Sequence, residues 1–140
     1  MAPRFNFLAR GGILRFLIIE DEVTARTVLK NHLRRAVPGC ELLEAENGLQ
    51  GLCLLLTEKP DIVFLDIIMP VMNGWELLDV VEKAHANGQL SQRPRIIVVT
   101  KISTFPELKK LTDRMIVETV ISKPITRQMV SAFRESLSWR

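Results

Sequence analysis

Four apolar runs in this chain each end on a residue that phosphoryl chemistry can use. Phe16-Leu17-Ile18-Ile19 runs into Glu20-Asp21, Ile62-Val63-Phe64-Leu65 into Asp66, Ile96-Ile97-Val98-Val99 into Thr100, and Val120-Ile121-Ser122 into Lys123. An aspartate carboxylate can accept a phosphoryl group as an acyl phosphate. Three carboxylates held together raise one another's pKa unless a cation neutralises them, and an all-oxygen set with open positions suits Mg²⁺. The charge that develops on a transferring phosphoryl group then needs clamping. Mg²⁺, the ammonium of Lys123 and the hydroxyl of Thr100 would each take one oxygen.

That chemistry requires the four run ends to meet. Short apolar runs without alternation read as strands buried on both faces, the habit of a parallel sheet covered by helices. The carboxyl ends of such strands lie along one edge, where ligands bind. Helical patterns separate the strands. The first strand, from about Leu14 to Ile19, precedes a helix with Val23, Ala25, Val28, Leu29 and Leu33 apolar and Arg26, Lys30 and Arg34 on other faces, ended by Pro38-Gly39. Glu41 to Ala45 is a second strand running into the turn Asn47-Gly48, and the helix after it reaches about Glu58 despite Gly51, which costs about 1 kcal/mol relative to alanine. The loop from Met69 to Gly74 opens a helix near Trp75. Pro106 marks a fourth helix with Phe105, Leu108, Leu111 and Met115 as its stripe. Thr126 can cap a last helix that buries Met129, Val130, Phe133 and Leu137. Five strands and five helices in strict alternation predict an α/β fold, a doubly wound, flavodoxin-like (βα)5 parallel sheet of strand order 2-1-3-4-5. That order sets the acid pair beside Asp66.

Composition narrows the class. The chain has 140 residues, 47% of them hydrophobic and 25% charged, enough for one soluble domain (14–140) after a short leader (1–13). The leader is too short and too broken by arginine for a signal peptide or a membrane span. A formal charge of +3 spread along the chain gives little support to nucleic-acid binding. Cys40 and Cys53 have no metal-ligand spacing, and Cys53 reads as a small core residue, in keeping with a reducing cytoplasm. His32 and His85 read as surface residues, Lys109-Lys110 and Arg34-Arg35 as solvated faces, and Trp75 as packing at the start of its helix. Trp139 reads as closing the C-terminal end or touching a partner.

The segments Leu17-Ile18-Ile19-Glu20-Asp21-Glu22, Pro60-Asp61-Ile62-Val63-Phe64-Leu65-Asp66-Ile67-Ile68-Met69-Pro70 and Met72-Asn73-Gly74, followed by Thr100 and Lys123-Pro124, resemble the receiver domain of bacterial two-component response regulators over about 14–137. The resemblance implies that Asp66 is the phosphoacceptor. It also implies that Glu20, Asp21, Asp66 and the backbone carbonyl of Ile68 hold Mg²⁺, that Thr100 is the switch hydroxyl, and that Lys123 pairs with the phosphate. The donor would be a histidine kinase or a histidine phosphotransfer protein, met by the first helix and the loop after Lys123, and the signal would pass to a downstream protein target. Because the sequence stops one helix after Lys123, a stand-alone regulator is expected; a receiver fragment of a longer regulator and a phosphorylation-independent binding module are the alternatives. No enzymatic turnover beyond gain and loss of its own phosphate is expected. Three departures bear on the switch. Receivers usually carry Tyr or Phe three residues before the lysine, where this chain has Val120 and no tyrosine anywhere. They usually carry Ala or Gly after the switch hydroxyl, where this chain has Lys101. Met115-Ile116-Val117 also replaces the usual small segment before the last strand.

Overall fold

Uninterrupted apolar runs can settle only where both faces of a strand are covered, and that is where the fold puts them. A computed structural model describes residues 11–136. In it β1 (Arg15–Ile19), β2 (Glu41–Ala45), β3 (Ile62–Leu65), β4 (Arg95–Thr100) and β5 (Val117–Ser122) alternate with α1 (Val23–Ala36), α2 (Gly48–Glu58), α3 (Gly74–Ala86), α4 (Phe105–Thr112) and α5 (Arg127–Glu135). All strand pairs are parallel, in the expected order β2-β1-β3-β4-β5. The registers Ile19 opposite Leu65 and Leu65 opposite Val98 bring the ends of β1, β3 and β4 level. The leader falls largely outside the described residues, as do Leu137 and Trp139.

Alternate side chains of each strand go to opposite faces. Leu17, Ile19, Val63, Leu65 and Val98 meet Leu55 of α2, Leu77, Leu78 and Val81 of α3, and Leu111 of α4. Phe16, Ile18, Phe64, Ile97 and Val99 meet Leu29 and Leu33 of α1 and Val130 of α5. Phe133 of α5 sets its ring edge-on to Phe64, with centroids 5.5 Å apart. Gly51 has a packing reason: a Cβ there would collide with the side chain of Ile19, so its small size lets α2 lie close on β1.

Several side chains sit elsewhere than their sequence pattern suggested. Cys53 is exposed, because α2 buries Gly48, Gly51 and Leu55, and a residue two positions from both Gly51 and Leu55 faces away. Val23 and Phe105, each the first residue of its helix, are exposed, at 63% and 74%. Met115 is 79% exposed because α4 stops at Thr112 and leaves it in the turn to β5. Met129 stands one position before the buried Val130 and is turned outward. His85 is exposed as expected, whereas His32 is half-buried, with a buried Nδ1 that lacks a hydrogen-bond partner. Asn47-Gly48 is a helix start rather than a free turn: Asn47 Oδ1 accepts from the Gln50 amide at 2.9 Å. Thr126 caps α5 as expected, accepting from the Met129 amide at 3.2 Å.

Candidate functional site

Glu20, Asp66 and Lys123 each stand just past the end of a strand, and Thr100 is the last residue of its own. The Glu20 amide donates to Ala45 carbonyl at 3.0 Å, and the Asp66 amide to Ile19 carbonyl at 3.0 Å. These bonds continue the β1–β2 and β1–β3 ladders one residue past the strand ends. Beyond Asp66 the chain turns sharply. Gly74 donates its amide to Ile67 carbonyl at 2.8 Å, and a Cβ on Gly74 would lie 2.7 Å from the Asp66 carbonyl oxygen. α3 therefore starts against the backbone of the loop that follows Asp66, fixed by a capping box in which Asn73 and Glu76 exchange hydrogen bonds.

Carboxylate oxygens of Glu20, Asp21 and Asp66 lie within 4.8 Å of one another, Glu20 and Asp66 buried and Asp21 exposed. Lys123 bridges the two buried acids, donating to Glu20 Oε1 and, at 3.1 Å, to Asp66 Oδ2. Asp66 Oδ1 accepts from the Ile67 amide at 2.8 Å. Burial works to push the Lys123 ammonium down, but the hydrogen bond to Glu20 and the charge of Asp66 more than offset it and hold the lysine above its ordinary value. Its amide donates to Thr100 carbonyl at 2.9 Å, which ties the end of β5 to that of β4, and the Lys123-Pro124 peptide is cis. Thr100 is fully buried, and its hydroxyl accepts from the Ile102 amide at 3.2 Å.

Glu20, Asp21, Asp66 and Lys123 are thus brought into one cluster, with Thr100 at the end of the adjacent strand. Ile68, expected to offer its carbonyl, is exposed in the loop two residues after Asp66. Three carboxylates face one ammonium. The local charge is negative and the donors are all oxygen, a set that fits a hard divalent cation such as Mg²⁺. Lys101 lines the same cleft as Asp66 and Lys123, a space of about 530 Å³ walled on the other side by Ala25, Val28 and Leu29 of α1 and by Pro124 and Ile125. Val120 is half-buried and packs, with Ile102, against the apolar cluster under α3 and α4.

One residue packed against the site is not where the sequence pattern sets it. Arg26, expected off the apolar face of its helix, is buried; it donates to Glu20 carbonyl at 2.7 Å and to Glu44 Oε1 at 2.9 Å. The signal was present in its spacing, since positions 26, 29 and 33 share one helical stripe with Leu29 and Leu33.

The strand order and the strict alternation of strands and helices define a class, the doubly wound α/β proteins of flavodoxin-like fold, here with an acid cluster crossed by a lysine at the carboxyl edge of the sheet. The sequence pattern of the response regulator receiver domain matches residues 16–133, and the chain belongs to that family. It is 39% identical over 87 residues to protein PilH of Pseudomonas aeruginosa, covering 62% of this chain and 68% of that protein. It is 33% identical over 121 residues to a chemotaxis protein CheY homolog of Campylobacter jejuni, covering 84% of this chain and 86% of the other. Among solved structures, a CheY-like response regulator receiver domain protein from Methanospirillum hungatei superposes with a TM-score of 0.71 at 26% identity, over 91% of this chain and 95% of that one. The matches span from 18% to 86% of the length of such curated relatives. No helix among the described residues is long and apolar enough to cross a membrane.

Proposed function

We propose that this receiver accepts a phosphoryl group on Asp66 from a histidine kinase or histidine phosphotransfer protein in the cytoplasm and relays the signal by protein contact or onward transfer. The observation that carries the reading is the Lys123 bridge: a half-buried lysine held between two buried acids that follow different strands. In the transfer, an oxygen of the Asp66 carboxylate forms the new O–P bond as the donor's P–N bond breaks. The donor imidazole keeps that electron pair and takes a proton from solvent. Lys123 releases Asp66 Oδ2 and pairs with an oxygen of the incoming phosphoryl group, and the Thr100 hydroxyl donates to another. Mg²⁺, held by Glu20, Asp21, Asp66 and the carbonyl of Ile68, would supply positive charge for the remaining oxygen and relieve the repulsion among the acids. The donor would approach over α1 and the loop after Lys123, where the cleft to Asp66 is walled by apolar side chains.

The test is incubation with Mg²⁺ and acetyl phosphate, wild type beside Asp66→Asn, read on a phosphate-affinity gel. A retarded band in wild type alone is expected. Absence of the band with acetyl phosphate and with a panel of histidine kinases would replace this reading with that of a binding module indifferent to phosphate.

A further inference from the structure

A buried arginine needs an explanation, because removing a guanidinium from water is costly unless its donors are all engaged. Leucine at position 26 would simply extend the stripe of Leu29 and Leu33. Instead Arg26, 8% exposed, spends its donors on two groups at the end of the sheet, the main-chain carbonyl of Glu20 at 2.7 Å and Glu44 Oε1 at 2.9 Å. Glu44 in turn takes Lys30 on its other oxygen at 3.0 Å. Burial alone would raise the Glu44 carboxyl, but its hydrogen bonds from Lys30 and Arg26 hold it below its ordinary value, so the anchor stays charged.

The carbonyl that Arg26 holds belongs to the peptide joining Glu20 to Asp21. A peptide is planar, so fixing its oxygen, with the Glu20 amide already bound to Ala45 carbonyl at 3.0 Å, fixes the direction in which both acids leave β1. Both restraints lead to β2, since Ile18 is registered with Glu44 and Ile19 with Ala45. We propose that Arg26 is a positioning residue for a divalent cation, holding the Glu20–Asp21 peptide so that its two carboxylates converge with Asp66. The proposal rests on the reading of the acid cluster as a cation site. Arg26 is no ligand itself; its charge is taken up by Glu44, and it acts through the peptide it orients.

The experiment titrates the metal-free protein with Mn²⁺, reading free ion by electron paramagnetic resonance, and records Tm in parallel. Arg26→Lys keeps the charge, but a single ammonium cannot span the carbonyl and Glu44 as the guanidinium fork does. Its Mn²⁺ Kd should weaken about tenfold, the usual cost of losing a group that orients a ligand. Glu44→Gln should weaken it several-fold and remains readable if Arg26→Lys fails to fold. Arg15→Lys is the matched control. Arg15 ties the opposite end of β1 to Glu41 at 2.7 Å and to Glu58 carbonyl at 2.8 Å. It should lower Tm and leave Kd unchanged. Wild-type Kd in both Arg26→Lys and Glu44→Gln, with Tm lowered, would make Arg26 a brace only and overturn the proposal. No Mn²⁺ binding by wild type would overturn the cation site itself, and the proposal with it.

Discussion

Lys101 stands next to the Thr100 hydroxyl, where the receiver resemblance implies a small residue. In place of a small side chain after the Thr100 hydroxyl it sets a long cationic one, on the same cleft as Asp66 and Lys123. Its stem can keep water from an acyl phosphate and its ammonium can stabilise the phosphate charge. Lys101→Ala should therefore shorten the half-life of phosphorylated protein several-fold, followed on the phosphate-affinity gel after the donor is removed. An unchanged half-life would mean that the side chain points to solvent. Lys123 allows a prediction with a pH signature. A lysine held above its ordinary value contributes stability that is complete below its unfolded pKa, about 10.4, and is lost as pH rises through the folded one. Metal-free Lys123→Met should be less stable than wild type by roughly 1–3 kcal/mol at neutral pH, because Glu20 and Asp66 are left facing each other unpaired. Urea unfolding should show that gap closing only above about pH 10.4; a gap that closed in the neutral range would contradict the assignment of the charge to Lys123. At this scale the sequence exposed the residues that end strands, since a polar residue after an apolar run is conspicuous. It concealed Arg26, whose partners are a carbonyl and an acid on other elements, and a helical pattern scored by polarity sends an arginine outward.

The elements were legible where one interaction dominates and less so where partial cover decides. The sequence pattern of β2 ends where the strand does, and the strand order follows from connectivity, because strands covered on both faces leave few arrangements. The outward turn of Phe105, Met115 and Met129 was not legible. Whether a terminal or flanking residue is covered depends on where the helix stops and what lies beyond it, and neither appears in periodicity. The loop between β3 and α3 shows how an element end sets the site. Gly74 is forced by approach rather than by conformation: a Cβ would sit 2.7 Å from both the Asp66 carbonyl oxygen and the Ile67 Cα, which are backbone atoms that cannot yield separately from the loop. Gly74→Ala should thus destabilise by about 1–3 kcal/mol in spite of alanine's better helix propensity. Thermal unfolding would detect it. A neutral or stabilising result would show that the loop has slack, and that Asp66 is held by its ladder bond alone.

Over the whole molecule, the site sets its own stability against its readiness for a cation. Two buried acids and an exposed one are gathered at a single edge against one bridging lysine, so the metal-free cluster keeps more negative than positive charge, an excess that a bound cation would offset. A cation that binds the folded chain and not the unfolded one adds stability by mass action, about 2.7 kcal/mol at a hundred times its Kd. For a chain of this size that is a rise in Tm on the order of 10 °C. Asp21→Asn separates the two contributions, because Asp21 is the exposed acid of the cluster and its loss leaves the Lys123 bridge intact. Without Mg²⁺ the variant should match or exceed wild type in Tm, since one repelling charge is gone. With saturating Mg²⁺ the order should reverse, as wild type rises and the variant lags. Tm recorded with chelator and then with Mg²⁺ must therefore shift in favour of wild type. A Tm difference that Mg²⁺ leaves unchanged would show that the acids at this edge are tolerated by solvent rather than held in wait for a cation.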